Sequence, residues 1–181
     1  MIIGPESTGK STLCAELSKH YKTLWVPEYA REFLLKKGNQ YTYDDLLTIA
    51  KNQLVQEDQY AEKLIEEFID KTITPSSPLL FIDTDMYVMK VWCEFVFGKC
   101  HPWIIEKIVE REYEFYLLCN TDLPWVEDEL REYPDLETRQ TLFRMYKDIL
   151  VNQSTPWVLI SGNNEERLEF AIREIDKHFH I

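Results

Sequence analysis

The sequence predicts an α/β fold in which a parallel β-sheet is covered by α-helices on both faces. The main observation is that short apolar runs typical of strands alternate with longer segments of helical periodicity along the chain. The second observation is a glycine-containing turn, Gly4 to Ser11, between an apolar run and a helical segment. With 181 residues, 45% of them hydrophobic, the chain has the length of a single domain over 1–181 with a sizeable core.

Each predicted element has its own signal in the sequence. Strands are predicted at the short apolar runs Met1–Ile3, Leu24–Pro27, Leu79–Asp83, Glu114–Cys119 and Trp157–Ser161. Helices are predicted, from apolar spacing, over Thr12–Tyr21, Asp44–Asp70 (as one helix or two), Met86–Phe97, Pro102–Arg111, Leu136–Asn152 and Asn164–Phe179. We expect the five strands in the order 2-3-1-4-5. The first is short for a strand, so we also expect residues upstream in the natural protein, either a few that complete it or a whole domain.

Charge and cysteine usage limit the classes of function. Twenty basic and 32 acidic residues give a formal charge of −12, which argues against a nucleic-acid partner or an anionic membrane surface. No apolar run reaches the length of a membrane span. The four cysteines, which we interpret as buried reduced thiols, show no metal-ligand spacing: Cys14, Cys93, Cys100 and Cys119. We therefore expect a cytoplasmic protein.

The turn after the first strand fits the phosphate-loop pattern G-x-x-x-x-G-K-[ST] at every constrained position. Its glycines allow positive φ angles and a close approach of backbone N–H groups to phosphate oxygens. Lys10 would reach the β and γ phosphates of ATP, and the Ser11 hydroxyl would bind Mg²⁺. The predicted ATP-binding residues of the loop are Gly4, Pro5, Glu6, Ser7, Thr8, Gly9, Lys10, Ser11 and Thr12. The sequence thus predicts a phosphate-loop nucleotide-binding fold, a three-layer sandwich with a lid.

The third predicted strand ends in an acid, Asp83, and a second acid, Asp85, follows two residues later. A carboxylate at the end of the strand beside a phosphate loop is typical of a Mg²⁺ ligand, so Asp83 is the predicted metal ligand with Ser11. Asp85 would contact the acceptor, or it would cap the helix that begins near Met86.

The second predicted strand is followed by Glu28, Tyr29 and Arg31, at the sheet edge where open α/β folds bind ligands. Glu28 would accept a proton from an attacking hydroxyl, and Arg31 would steady a phosphate or the acceptor. The competing interpretation is that Glu28 begins a helix and Arg31 pairs with a surface acid.

The polar, proline-broken segment after the fourth strand, about 121–139, is predicted to be a lid. Arg131 or Arg139 would meet the charge on the transferred phosphoryl group. After the last strand, Gly162 and Asn163 would present backbone groups to the adenine, although an ordinary capped turn has the same letters.

These motifs together resemble the NadR-type ribosylnicotinamide kinases of the phosphate-loop kinase superfamily. The resemblance lies in the segments 4–13, 26–33, 81–85 and 123–131, which in this order and spacing are fairly specific. One departure is Glu129, where the family more often has glycine.

The resemblance implies transfer of the ATP γ-phosphate to the 5′-hydroxyl of nicotinamide riboside, giving nicotinamide mononucleotide for NAD salvage. It places Trp125, Asp128 and Arg131 in the lid and substrate segment, and Tyr29 or Trp125 would stack on the pyridinium ring. The catalytic residues would be Lys10, Glu28, Asp85 and Arg131. Members of the family also carry an adenylyltransferase domain, so a fused or associated partner of that kind is expected.

Two other interpretations remain open at this point. In the first, the chain is another nucleoside or nucleotide kinase, although a nucleotide acceptor needs more cations than the sequence offers between the second and third strands. In the second, the chain is a nucleotide-sensing regulatory module whose lid changes position when a nucleotide binds. Turnover that depends on an acceptor separates the kinases from the regulator.

Overall fold

The computed structural model of the chain describes residues 1–38, 40–69 and 78–181. In chain order the elements are β1 (Ile2–Ile3), α1 (Lys10–Tyr21), β2 (Trp25–Val26), α2 (Tyr29–Lys37), α3 (Tyr43–Ile69), β3 (Phe81–Ile82), α4 (Met86–Phe97), α5 (Pro102–Glu110), β4 (Tyr116–Cys119), α6 (Leu136–Val151), β5 (Trp157–Ile160) and α7 (Asn164–Phe179).

All strand pairs are parallel, as the sequence predicts. The strands form a three-stranded sheet in the order β1-β4-β5 and a two-stranded sheet of β2 and β3. One isolated parallel bridge, between Ile2 and Asp83, joins the end of β3 to β1. The α/β class is therefore confirmed, whereas the single five-stranded sheet is not what forms, because β1, β2 and β3 have only two paired residues each.

Alternating strand residues divide the core between two faces, as expected for buried parallel strands with helices on both sides. On one face Ile2 and Leu117 pack with residues of α1 and α7 such as Leu17. On the other face Ile3 and Leu118 pack with residues of α4 and α6. The predicted layers of helix, sheet and helix are thus present.

A third apolar cluster lies between α2, α3, α4 and α5, where Ala30, Ile49 and Met89 are buried. Helix α2 is an addition to the predicted elements, and α3 is one helix rather than two. The predicted end of that helix at Asp70 lies outside the described residues. In the described part of the chain, no helix is long and apolar enough to cross a membrane. Cys14, Cys93 and Cys119 are buried, Cys100 is partly buried, and all four are free.

Candidate active site

The phosphate loop runs from the end of β1 to the first residue of α1, and its backbone has the positive φ angles that the motif predicts. Gly4 has φ 146° and Gly9 has φ 78°, and Ser7 between them has φ 56°. A Cβ atom on Gly4 would lie 2.7 Å from the carbonyl oxygen of Cys119, so only glycine lets the loop cross β4 this closely. This short contact and the positive φ angle explain why the position cannot carry a side chain.

The loop is closed by hydrogen bonds to one carbonyl. The hydroxyl of Thr8 and the ammonium group of Lys10 both donate to the carbonyl oxygen of Pro5, at 2.7 Å and 3.0 Å. Helix α1 begins at Lys10 with no acid in its first turn, so the positive end of its dipole faces the loop without a competing carboxylate. This is an arrangement suited to phosphate oxygens.

Ser11 and Asp83, the two predicted metal ligands, are in direct contact. The Ser11 hydroxyl donates to Asp83 Oδ2 at 2.5 Å, and Asp83 is completely buried. Burial raises the pKa of the Asp83 carboxyl, against the opposing charge of Lys10. A hydroxyl and one carboxylate fit Mg²⁺, which usually takes its other ligands from phosphate and water. Among the described residues there is no cluster of three or more His, Cys, Asp or Glu that would bind a metal alone.

Arg167 on α7, which the sequence analysis missed, binds the backbone of the phosphate loop. Its guanidinium donates to the carbonyl oxygens of Thr8 at 2.7 Å, Gly162 at 2.7 Å and Asn120 at 3.0 Å, and it pairs with Asp122. Only 2% of Arg167 is exposed. An arginine seven residues after the last strand gives no local signal of this role, because Thr8, Asn120 and Asp122 come from two distant segments.

We expect Arg167→Met to lower the free energy of unfolding by about 3 kcal/mol, because the change leaves buried carbonyls and Asp122 without their charged partner. Urea denaturation measures this directly. The matched control is Arg173→Met on the same helix, where the arginine side chain is 66% exposed and the expected change is within about 0.5 kcal/mol. Equal stability of the two variants would contradict the role assigned to Arg167.

Gly162 and Asn163, predicted near the adenine, form the turn that Arg167 ties to the loop. The Gly162 N–H donates to Asp122 at 2.7 Å, and Asn163 caps α7 through a capping box with Glu166. The contacts of these two residues are those of an ordinary capped turn, which was the competing interpretation. Contact with adenine stays a prediction.

A cavity of about 310 Å³ opens beside the phosphate loop and extends toward α4 and α6. It brings together charged side chains that are far apart in sequence, which are the acids Glu6, Glu28 and Glu132 and the cations Lys10, Arg31 and Arg131. Five aromatic residues that the sequence analysis did not select also line it, and they are Trp25, Trp92, Phe95, Tyr133 and Tyr146. The cavity thus combines ionic and aromatic side chains.

Glu28 faces this cavity, and α3 fixes its backbone on both sides. The side chain of Gln56 donates to the carbonyl oxygen of Pro27 at 2.6 Å, and Gln53 accepts the N–H of Tyr29 at 2.8 Å. Although Glu28 is the N-cap residue of α2, its side chain makes no capping hydrogen bond there. Burial raises the pKa of its carboxyl, while the charges of Lys10 and Arg31 oppose the rise. A poised carboxylate therefore lies near the loop lysine.

Asp85, by contrast, is not among the residues that line the cavity. Its carboxylate caps α4 by accepting the N–H of Val88 at 3.1 Å, and it accepts the hydroxyl of Tyr116 at 2.9 Å. Only 1% of the residue is exposed, and burial raises the pKa of its carboxyl to about 6. These contacts agree with the capping interpretation, and the predicted catalytic and substrate-binding role of Asp85 stays a prediction. Tyr29 and Trp125 also lie outside the lining.

The lid segment (121–139) is docked against the loop and α2. Arg31 and Asp128, both predicted to bind substrate, pair with each other through two hydrogen bonds of 2.8 Å and 3.2 Å. Arg131 lines the cavity and donates to the carbonyl oxygen of Val126. Arg139 is 5% exposed, and in the described part of the chain its Nε and one terminal nitrogen have no partner.

Residues 1–167 match the family model described as an AAA domain. The chain belongs to this AAA-domain family. A phosphate loop that closes on a buried acid, as seen here for Ser11 and Asp83, agrees with that membership.

The resemblance to NadR is also confirmed by two relatives. The chain is 26% identical over 182 residues to the "Trifunctional NAD biosynthesis/regulator protein NadR" of Escherichia coli, covering 98% of the chain and 39% of that protein. It is 25% identical to the protein of the same name from Salmonella typhimurium, covering 87% of the chain and 36% of that protein. The AAA domain therefore spans about two fifths of the length of these relatives.

Solved structures with the same fold include NadR in complex with NR, with a TM-score of 0.78 and 19% identity over 99% of this chain and 49% of that chain. Deoxyadenosine kinase from M. mycoides has a TM-score of 0.60 and 14% identity, and 97% of each chain is covered. At these identities the likeness concerns the fold alone.

Proposed function

We propose that the AAA domain transfers the γ-phosphate of ATP to the 5′-hydroxyl of nicotinamide riboside. The observation that carries this proposal is one cavity lined by the phosphate loop, by Glu28 and by aromatic side chains of α4, α6 and the lid segment. Such a cavity suits a phosphate donor beside the loop and an aromatic nucleoside against the rings. The NadR structure in complex with NR, which shares this fold, supports the choice of acceptor.

The donor end would bind the ATP phosphates through the backbone N–H groups of the loop, Lys10 and the α1 dipole. Ser11 and Asp83 would hold Mg²⁺, which when bound neutralises charge on the β and γ phosphates. The turn at Gly162 and Asn163 would face the adenine. ATP and Mg²⁺ are thus the proposed donor and cofactor, and a fold shared with NadR in complex with NAD and AMP-PNP supports a nucleotide at this end.

The acceptor end favours a cationic aromatic ring. The rings of Trp92, Phe95, Tyr133 and Tyr146 line it, and Glu132 adds a carboxylate. A cation over an aromatic face gains about 0.5 to 2 kcal/mol, and the pyridinium of nicotinamide riboside is such a cation. Arg31 and Asp128 neutralise each other, which leaves few free cations for an acceptor that already carries a phosphate. Tyr29 and Trp125, at the edge of this region, are less suitable stacking partners than the lining rings.

Glu28 would act as the general base. It would accept the proton of the 5′-hydroxyl as the new O–P bond forms and the bond between the γ-phosphorus and the β–γ bridging oxygen breaks, releasing ADP. Lys10 and Arg131 would stabilise the charge on the moving phosphoryl group. Arg139 is the second candidate for that role, since two of its nitrogens have no hydrogen-bond partner among the described residues.

The proposed base predicts how the rate depends on pH. A base acts when deprotonated, and burial raises the pKa of Glu28, so kcat/KM should rise with pH through a limb above the usual glutamate range. Arg31 lowers that pKa, so Arg31→Gln should move the limb to higher pH. Initial rates across pH measure this. A profile unchanged by Arg31→Gln and flat to acid pH would contradict the assignment of Glu28.

Another nucleoside kinase is the second candidate, because the deoxyadenosine kinase with this fold matches over nearly its whole length. ADP release should be measured with ATP and Mg²⁺ against nicotinamide riboside, uridine, thymidine, thymidine monophosphate and no acceptor. Turnover that depends on the riboside is the expected result. Turnover with another acceptor alone would change the substrate, and none with any acceptor would favour a regulatory module.

The proposal also includes the order of the strands and the cellular location of the protein. The strand order 2-3-1-4-5 is supported by the isolated bridge between Ile2 of β1 and Asp83, the residue after β3. A cytoplasmic location is supported by the four free cysteines, which a reducing compartment would maintain.

A further inference from the structure

The carboxylate of Glu6 joins the phosphate loop to the lid segment. Its Oε2 accepts the backbone N–H of Glu132 at 3.0 Å, and its Oε1 accepts that of Tyr133 at 2.7 Å. The indole N–H of Trp125 lies 3.4 Å from the same Oε1. Three donors of one segment thus converge on one loop side chain, and hydrogen bonds to a charged acceptor are stronger than neutral ones.

Two neighbouring contacts hold other residues of the same segment. The hydroxyl of Ser7 accepts the N–H of Val126 at 3.0 Å, and the Arg31–Asp128 pair ties the segment to α2. The contacts of Glu6 differ from these because they hold positions 132 and 133, which line the cavity.

The residues that Glu6 holds are themselves walls of the cavity. Glu132 and Tyr133 both line it, and the Glu132 carboxylate accepts the hydroxyl of Tyr41 at 3.0 Å. That hydroxyl in turn accepts the indole N–H of Trp92, another wall residue, at 2.8 Å. A chain of hydrogen bonds therefore runs from the aromatic wall through the lid segment to the phosphate loop.

We propose that Glu6 is a positioning residue that fixes the acceptor-facing wall to the phosphate loop. Two consecutive N–H groups on one carboxylate set both the position and the orientation of the backbone at 132 and 133, and so where their side chains stand. Acceptor affinity then depends on a side chain of the donor site. The identity of the acceptor rests on the proposed function, whereas the attachment itself does not.

The kinetic test uses Glu6→Gln. The amide nitrogen of glutamine is a donor, so it cannot accept a hydrogen bond from one of the two backbone N–H groups. We expect the KM for the acceptor to rise about tenfold, while the KM for ATP and kcat change less than about threefold. The matched control is Glu127→Gln, an exposed glutamate of the same segment, which should leave all three constants unchanged. Equal increases in both KM values would overturn the proposal, because they would indicate a disturbed loop.

The second readout does not need turnover. Hydrogen exchange of the amides at 132 and 133 should become faster in Glu6→Gln and stay unchanged in Glu127→Gln. If the wild-type chain phosphorylates no acceptor, the proposed function fails, yet this exchange still decides the role of Glu6. Should Glu6→Gln fail to fold, Glu6→Asp keeps the charge but draws the carboxylate back by one methylene, and exchange at 132 and 133 should again become faster. Unchanged exchange at 132 and 133 in whichever variant folds would overturn the proposal.

Discussion

Replacing Lys10 by alanine is expected to abolish phosphoryl transfer while leaving the fold intact. Lys10 lines the cavity, and its ammonium group donates to the carbonyl oxygen of Pro5. Removing a charge that stabilises the transition state costs about a hundredfold to a thousandfold in kcat. Losing one partly buried hydrogen bond changes the free energy of unfolding by only about 1 kcal/mol. Steady-state ADP release and urea denaturation of the same preparation measure both.

The matched control is Lys19→Ala, in the last turns of the same helix. The Lys19 side chain is 71% exposed and pairs with Glu16, so its removal should change neither rate nor stability noticeably. A Lys10→Ala variant that keeps a near-normal rate would remove the phosphate-loop role from this lysine.

Replacing Glu28 by glutamine is expected to lower kcat by about a hundredfold or more, with little change in ATP affinity. The amide has the same shape but cannot take the proton of the attacking hydroxyl. Because no capping hydrogen bond of α2 depends on this side chain, the fold should tolerate the change. Single-turnover rates and ATP-analogue binding separate the two quantities.

Glu32→Gln is the control, since Glu32 lies on the same helix with its side chain 55% exposed and pairs with Lys36. Asp85→Asn tests the competing base. The variant should lose stability through the contacts with Val88 and Tyr116 and keep most of its kcat. A large loss of kcat in Asp85→Asn together with a normal rate in Glu28→Gln would move the base to Asp85.

The phosphate loop could be predicted from sequence because its determinants are local. Gly4 and Gly9 set the backbone, and Ser11 follows them within one turn of helix. The pairing of Ser11 with Asp83 was also predictable, since the ends of parallel strands meet at one edge of the sheet. The lengths of the strands were not predictable. The apolar runs that predicted β1, β2 and β3 are longer than the two residues that pair in each of these strands.

The acceptor end of the cavity could not be predicted, because its walls come from separate elements. Trp92 belongs to α4, Tyr146 to α6 and Tyr133 to the lid segment, and each fits an ordinary amphipathic pattern in its own stretch. Asp85 shows a different limit. An acid after a strand indicates a site or a helix cap equally well, and its contact with the hydroxyl of Tyr116, 31 residues away, has no signal in the local sequence.

The pairing of Arg31 with Asp128 combines two residues that sequence reasoning assigned separately to the substrate. Their separation of 97 residues hides the contact, and each alone has the features of a ligand-binding residue. The docked lid is thus the part of the site that requires tertiary structure. Its attachment by Glu6 is similarly invisible, because the donors are backbone N–H groups.

The most direct test of the central claim is the identity of the product. The chain 1–181 should be incubated with ATP, Mg²⁺ and nicotinamide riboside, and the product examined by mass spectrometry and by phosphorus–proton coupling in NMR. The proposed function predicts nicotinamide mononucleotide with its phosphate coupled to the 5′ protons, formed in step with ADP and absent with Lys10→Ala. Release of ADP with the riboside unchanged would contradict it.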